Sequence, residues 1–240
     1  MITRRLFCPW LQEGLIELSE TQAHHAIRVL RLKQGDFIEL FDGQGHQGRA
    51  EIVDVDRSNN AIHLQCEAPT LQAQPKIKLH LGVAFPKGDR SDWLVEKVTE
   101  LGVSELTFLD WKRSQEPPKK KQLQRHQRII TEAARQCGRA RLPILHPFSG
   151  LADFLNRPQS IIRLVGMPSL ASSPMVHKLG AHRERTLLIG PEGGITDEEL
   201  ALLEKAGYIP FSMNPWTLRI ETAAVAGATL LMAPGETISP

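Results

Sequence analysis

Cysteine is scarce in this 240-residue chain. Cys8, Cys66 and Cys137 stand far apart, with no CxxC pair and no Cys/His run at ligand spacing, so a structural zinc centre is not expected. His24 and His25 fit no ligand spacing either, and no metal is expected. The odd, isolated cysteines suit a reducing compartment. Long apolar runs are also missing. The longest, Ala223 to Ala233, is too short to cross a bilayer. The first ten residues carry Arg4 and Arg5 but no apolar stretch behind them, which does not read as a secretory signal. No membrane association and a cytoplasmic location are expected. Net charge is low too, at +2, so the total says little about partners and the distribution matters more.

What is present is ordinary for a globular chain: 41% apolar and 23% charged residues. Residues 1–72 read as a small β-barrel with one helix. Phe37 to Phe41 precedes the turn Asp42-Gly43-Gln44-Gly45, and Ala50 to Val55 and Ala61 to Cys66 alternate in character. Ser19 with Gln22 makes a capping box, after which Ala23, Ala26, Ile27 and Leu30 share a helical face. The polar stretch ending at Pro75 reads as a linker. Over 73–240, strands and helices alternate. Strands are expected at Lys78–Ala84, Glu105–Leu109, near Ile144, and at Ile161–Val165, Thr186–Ile189 and Ile209–Ser212. Helices are expected at Asp92–Leu101, Lys120–Cys137, from the Thr196/Glu199 capping box to Gly207, and at Glu221–Met232. This is the pattern of an α/β domain with a mainly parallel sheet.

Three stretches could carry chemistry. In Leu187 to Thr196 an apolar strand runs into Gly190-Pro191-Glu192-Gly193-Gly194 and then a capped helix. Ligands of open α/β sheets sit at the carboxyl ends of strands, and glycine lets backbone approach them. The spacing is neither a phosphate loop nor GxGxxG, and a plain strand-to-helix turn remains open. In Asn214 to Ala224, Arg219 and Glu221 stand at the start of a helix rich in small residues. The acid suits the helix dipole and the arginine does not, although a surface Arg–Glu pair would explain both. Between Lys112 and Arg141, ten lysines and arginines face only Glu116 and Glu132. That excess suits a phosphate backbone, unless it is a solvated helix face.

Together these stretches resemble the bacterial small-subunit ribosomal RNA uridine-N3 methyltransferases (RsmE), of the SPOUT class. The resemblance rests on His25 to Arg31, Glu96 to Val103, Arg113-Ser114, Glu132 to Arg139, Leu188 to Gly194, and Leu218-Arg219 with Glu221-Thr222-Ala223, in the family's order along almost the whole chain. Two departures are visible. Met213-Asn214-Pro215-Trp216-Thr217-Leu218 replaces a stretch that usually contains Leu-Gly, and Arg135 stands where glutamate is common.

The resemblance implies a PUA-like barrel over 1–72 that grips RNA. It implies a SPOUT domain over 73–240 with a trefoil knot, and a homodimer with the cofactor pocket near its interface. The implied reaction moves a methyl group from S-adenosylmethionine to N3 of a uridine in 16S ribosomal RNA within the assembled small subunit. Cofactor contacts are expected at Gly166, Met167, Leu188, Ile189, Gly190, Pro191, Glu192, Gly193, Gly194, Met213, Asn214, Leu218, Arg219 and Thr222. RNA contacts are expected at His25, Arg28, Arg31, Arg113, Arg135 and Arg139. Arg219 would steady the uracil anion, while Glu221 or Glu192 helps remove the N3 proton. Rival readings are a related enzyme acting at a ribose 2′-oxygen or another base, a non-catalytic RNA-binding protein, and a nucleotide-binding metabolic enzyme.

Overall fold

A computed structural model of the chain describes residues 4–18, 20–114, 116–158, 160–168 and 182–233. By internal contacts the chain divides into two units, Met1–Gln74 with Thr131–Leu142, and Pro75–Ile130 with Pro143–Pro240.

The first unit holds β1 (Arg5–Phe7), β2 (Gly14–Leu18), α1 (Glu20–His24), β3 (Phe37–Phe41), β4 (His46–Asp56), β5 (Ala61–Cys66) and β6 (Thr70–Leu71). They form a six-stranded sheet in the order β1-β3-β4-β5-β2, with β6 on β4. Period-two alternation sends Ile38, Leu40, Ala50, Ile52, Ile62 and Leu64 into one core, where Ala23, Ala26 and Ile27 from the helix meet them. The β3–β4 turn forms because the Asp42 carboxylate accepts three backbone N–H groups, from Gln44, Gly45 and His46 at 2.7, 2.9 and 3.0 Å.

Two expectations change here. The helix does not continue as an α-helix to Leu30. His25–Val29 forms a π-helical turn, and Arg31 follows at φ 53°. Ser19, and with it the expected capping box, lies outside the described residues; the Gln22 amide donates to the Phe7 carbonyl at 3.0 Å. Strands β1, β2 and β6 were not expected from the sequence.

The second unit holds β7 (Lys78–Ala84), α2 (Arg90–Glu100), β8 (Glu105–Asp110), the start of α3 (Lys120–Cys137), β9 (Ile144–Leu145), β10 (Ser149–Gly150), α4 (Leu151–Leu155), β11 (Ile162–Gly166), β12 (Glu184–Ile189), α5 (Asp197–Lys205), β13 (Ile209–Phe211) and α6 (Ile220–Met232). Every described pairing in its sheet is parallel. The order β10-β8-β7-β12-β11-β13 places β12 between β7 and β11, with β9 alongside β8. β7 and β12 are buried along almost their whole length, with only Lys78 and Glu184 exposed at their starts, as central strands of a parallel sheet are.

Helix starts and stops follow local chemistry. Thr196 and Glu199 close the expected capping box of α5, and Gly207 ends it at φ 77°. Among the described residues, no helix is long and apolar enough to cross a membrane.

Packing near the middle of the sheet is tight enough to require glycine. A Cβ on Gly82 would lie 2.4 Å from Leu188 Cδ2 and 2.9 Å from Leu109 Cδ1. The substitution Gly82→Val is therefore expected to destabilise the protein by about 1–3 kcal/mol through overpacking. Urea unfolding reads this directly, and an unchanged midpoint would contradict it.

Candidate functional site

The register of the parallel strands brings three carboxyl ends to one level. Gly166, the last residue of β11, pairs with Ile189 at the end of β12 on one side and with Phe211 at the end of β13 on the other. The Met167 N–H then donates to the Phe211 carbonyl at 3.1 Å. The three following segments enclose a cavity of about 350 Å³.

Of the expected cofactor residues, Gly166, Met167, Ile189, Gly190, Pro191, Glu192, Gly193, Gly194, Met213, Asn214 and Leu218 line this cavity. Leu188, Arg219 and Thr222 do not. Leu188 is fully buried in the sheet, and Arg219 and Thr222 are exposed at the start of α6. Pro168, Ile195, Trp216, Thr217, Ile220 and Ala223 also line it; Trp216 and Thr217 lie within the expected Met213–Arg219 segment, and the other four were missed. Trp216 is 74% exposed, and the Asn214 carboxamide accepts its backbone N–H at 2.8 Å, an Asx turn that shapes the atypical segment.

Two arginines support the glycine-rich loop from other elements. The Arg113 guanidinium donates to the Gly193 carbonyl at 2.9 Å, and a Cβ on Gly193 would come within 3.0 Å of Arg113 Cβ. Gly194 takes φ 78°, and its N–H donates to the Pro191 carbonyl at 2.9 Å, closing the turn. The Lys112 N–H donates to Glu199 at 2.7 Å, so the carboxylate that caps α5 also holds the 111–114 turn.

Arg90, at the start of α2, is the residue sequence reasoning missed most clearly. Its NH1 donates to Glu192 Oε1 at 3.2 Å and lies 3.8 Å from Glu221 Oε2. The Glu221 side chain is only 9% exposed, and its Oε2 has no hydrogen-bond partner among the described residues. The two expected carboxylates thus share one guanidinium. No spacing rule reports this link, because Arg90 and Glu192 are 102 residues apart.

The expected RNA contacts scatter. In the first unit, Arg28 and Arg31 are exposed, and the His25 side chain is outside the description. Arg135 is held by Glu132 at 2.8 and 3.0 Å, and Arg139 is partly buried, with burial pulling its pKa below the usual value. In the second unit, Lys112 pairs with Glu198 and Arg125 with Asp92, acids that lie outside the basic run. Lys119, Lys120, Lys121 and Arg128 are exposed, and three of them line a surface depression with Arg125.

A cleft at the carboxyl edge of a parallel sheet, built from glycine-rich backbone with paired carboxylates, defines a class of ligand-binding α/β enzymes. A family model for an RNA methyltransferase domain matches residues 73–232, and one for an RNA methyltransferase PUA domain matches 18–59. Ribosomal RNA small subunit methyltransferase E of Synechocystis sp. is 32% identical over 225 residues, covering 88% of this chain and 70% of that protein. The same enzyme of Bacillus subtilis is 27% identical, covering 84% and 83%. A Legionella pneumophila structure with bound S-adenosylmethionine aligns at TM-score 0.87 and 32% identity, covering 96% of this chain and 97% of that one. The Neisseria gonorrhoeae methyltransferase E bound to S-adenosylmethionine aligns at TM-score 0.84 and 26% identity, covering 94% and 95%. The chain belongs to the ribosomal RNA small subunit methyltransferase E family.

Arg90 gives a direct test of the charge arrangement. Arg90→Met strands a nearly buried carboxylate, at an expected cost of about 1–2 kcal/mol after allowing for the exposure of the arginine. In a double-mutant cycle by urea unfolding, adding Glu221→Gln should recover part of that loss. Strict additivity would show that the two side chains are not coupled.

Proposed function

We propose that this chain methylates N3 of a uridine in 16S ribosomal RNA, with S-adenosylmethionine lodged in the cavity at the ends of β11, β12 and β13. The observation that carries the reading is the convergence of Gly166, Ile189 to Ile195 and Met213 to Leu218 on one cavity, in a chain of this family. A volume of about 350 Å³ falls within the common range for small-ligand sites. Its residues fit the cofactor. Ile189, Ile195, Leu218 and Ala223 offer apolar walls for an aromatic base, exposed backbone along the loops offers donors and acceptors, and Glu192 offers negative charge for a sulfonium. When bound, the cofactor supplies an already electrophilic methyl group.

The protein's work is then alignment and proton management. Uridine N3 must lose a proton. Glu192 lines the cavity, and Glu221 keeps an oxygen without a hydrogen-bond partner among the described residues, so either carboxylate can receive it. Arg90 holds both carboxylates in place. Arg219, flanked by the lining residues Leu218 and Ile220, is assigned to the uracil anion.

RNA would be gripped by a PUA-like barrel in the first unit, through Arg28 and Arg31. The exposed lysines 119–121 and Arg128 would meet phosphates. A target base must leave its stack to reach a recessed site. The insertion of β12 between β7 and β11 supports a trefoil knot in the second unit, an inference that an experimental trace pulling open from its ends would contradict. The substrate is the assembled small subunit in the cytoplasm. A homodimer suits the exposed Trp216 and Leu230 on the segment and helix beside the cavity. Sedimentation velocity should give twice the chain mass, and a monomer at micromolar concentration would refute this.

Purified protein, small subunits and methyl-labelled S-adenosylmethionine should yield N3-methyluridine on nucleoside mass spectrometry. A ribose 2′-O-methyl product would favour the rival enzyme, and no product with intact cofactor binding would favour a binding protein. Arg219→Met is expected to lower turnover by about 100-fold, the scale of losing one stabiliser of developing negative charge. Unchanged turnover would remove Arg219 from the mechanism.

A further inference from the structure

The amino edge of the parallel sheet, away from the cavity, carries a second cluster. His80 on β7 pairs in register with Glu105, the first residue of β8, and Glu105 pairs in turn with Ile144 of β9. His146 follows β9 directly, its N–H fixed to the Leu106 carbonyl at 2.9 Å. Three neighbouring strands therefore deliver two imidazoles and a carboxylate to one spot, with one donor atom of each within 4.8 Å of the others.

The geometry goes beyond an ordinary His–Glu pair. His146 Nε2 lies 2.7 Å from Glu105 Oε2, a hydrogen bond. His80 Nδ1 lies 3.7 Å from the same oxygen, too far for one, and has no hydrogen-bond partner among the described residues. The other nitrogen of that ring, Nε2, sits 2.7 Å from the hydroxyl of fully buried Thr107. With the proton on Nε2 and donated to Thr107, the Nδ1 lone pair would face Glu105, the tautomer a bound cation selects. This is the outer-shell arrangement that orients metal-ligating histidines. The rings of His80 and His146 stack at 5.1 Å, and the Phe154 edge backs His80 at 5.1 Å, so both imidazoles are held in place by packing.

We propose that His80 Nδ1, Glu105 Oε2 and His146 Nε2 form a zinc(II) site, with water as the fourth ligand. Zinc bonds of about 2.0–2.1 Å at tetrahedral angles place ligand atoms about 3.3 Å apart. The 3.7 Å separation needs to shrink slightly, and the 2.7 Å one to open as the metal replaces the hydrogen bond. The side chains are 21% to 37% exposed, which admits both the ion and its water. Arg157 is the opposing charge nearby, and its guanidinium is drawn to Ser149 Oγ at 2.9 Å. Two histidines and one carboxylate form a donor set suited to zinc, and to cobalt(II) as its spectroscopic substitute. The bound ion ties β7, β8 and the start of the 146–149 loop together. It stands at the opposite end of the strands from the transferase cavity and takes no part in methyl transfer.

The test uses the full chain stripped of metal with a chelator. Zinc titration by calorimetry should show one saturable site, and cobalt(II) should give the visible bands of a tetrahedral nitrogen–oxygen complex without a thiolate band. His146→Gln and Glu105→Gln should each weaken binding at least tenfold and abolish the zinc-induced rise in melting temperature, while methyl transfer stays within twofold of the parent. If one variant fails to fold, the other variant and the parent's cobalt spectrum decide the matter. Absence of saturation, one-to-one binding untouched by either variant, or a thiolate band from exposed Cys137 would each overturn the site.

Discussion

The candidate site depends on strand register. Gly166 stands opposite both Ile189 and Phe211, so three chain segments leave the sheet side by side and close around one cavity. A slip of one residue in β11 would turn its side chains to the other face and separate Met167 from the loops it meets. Glycine makes the register possible. A Cβ at Gly166 would lie 2.7 Å from Ile189 Cδ1 and 3.0 Å from Met213 Cε, both from residues of the cavity wall. Helix α6 can approach β12 for the same reason, since a Cβ at Gly227 would meet Leu187 Cδ2 at 2.4 Å.

Charge is organised on that scaffold rather than spread over it. Arg113, in the turn after β8, and Arg90, the first residue of α2, both reach the 190–194 loop, one on its backbone and one on its acid. Placing Arg90 between Glu192 and Glu221 keeps two carboxylates near one site without the full cost of their repulsion.

Much of the fold was legible from the chain itself. β7, β5 and α3 match their expected limits because apolar runs, alternation and a following glycine are local signals. The α5 capping box was equally plain. The short strands β1 and β2 were not, because three to five residues leave too little pattern to separate from loop. The π-helical turn at His25–Val29 was hidden as well, since hydrogen-bond register leaves no trace in residue order. The glycine-rich half of the cavity was visible in sequence, whereas Arg90 was invisible because its partners are distant along the chain. The same blindness exaggerated the basic run, where Asp92 and Glu198 offset charges from outside the window. It also hid the His80, Glu105 and His146 cluster, whose members come from two strands and the segment after a third and obey no ligand spacing.

The cleft formed at the level of Gly166 is proposed to hold one molecule of cofactor. A crystal structure with S-adenosylhomocysteine is the sharpest test. Adenosine density is expected between the Gly190–Gly194 bend and the Met213–Leu218 segment, with Trp216 at its margin. Density at any other place on the chain, with this cleft still filled only by solvent, would contradict it.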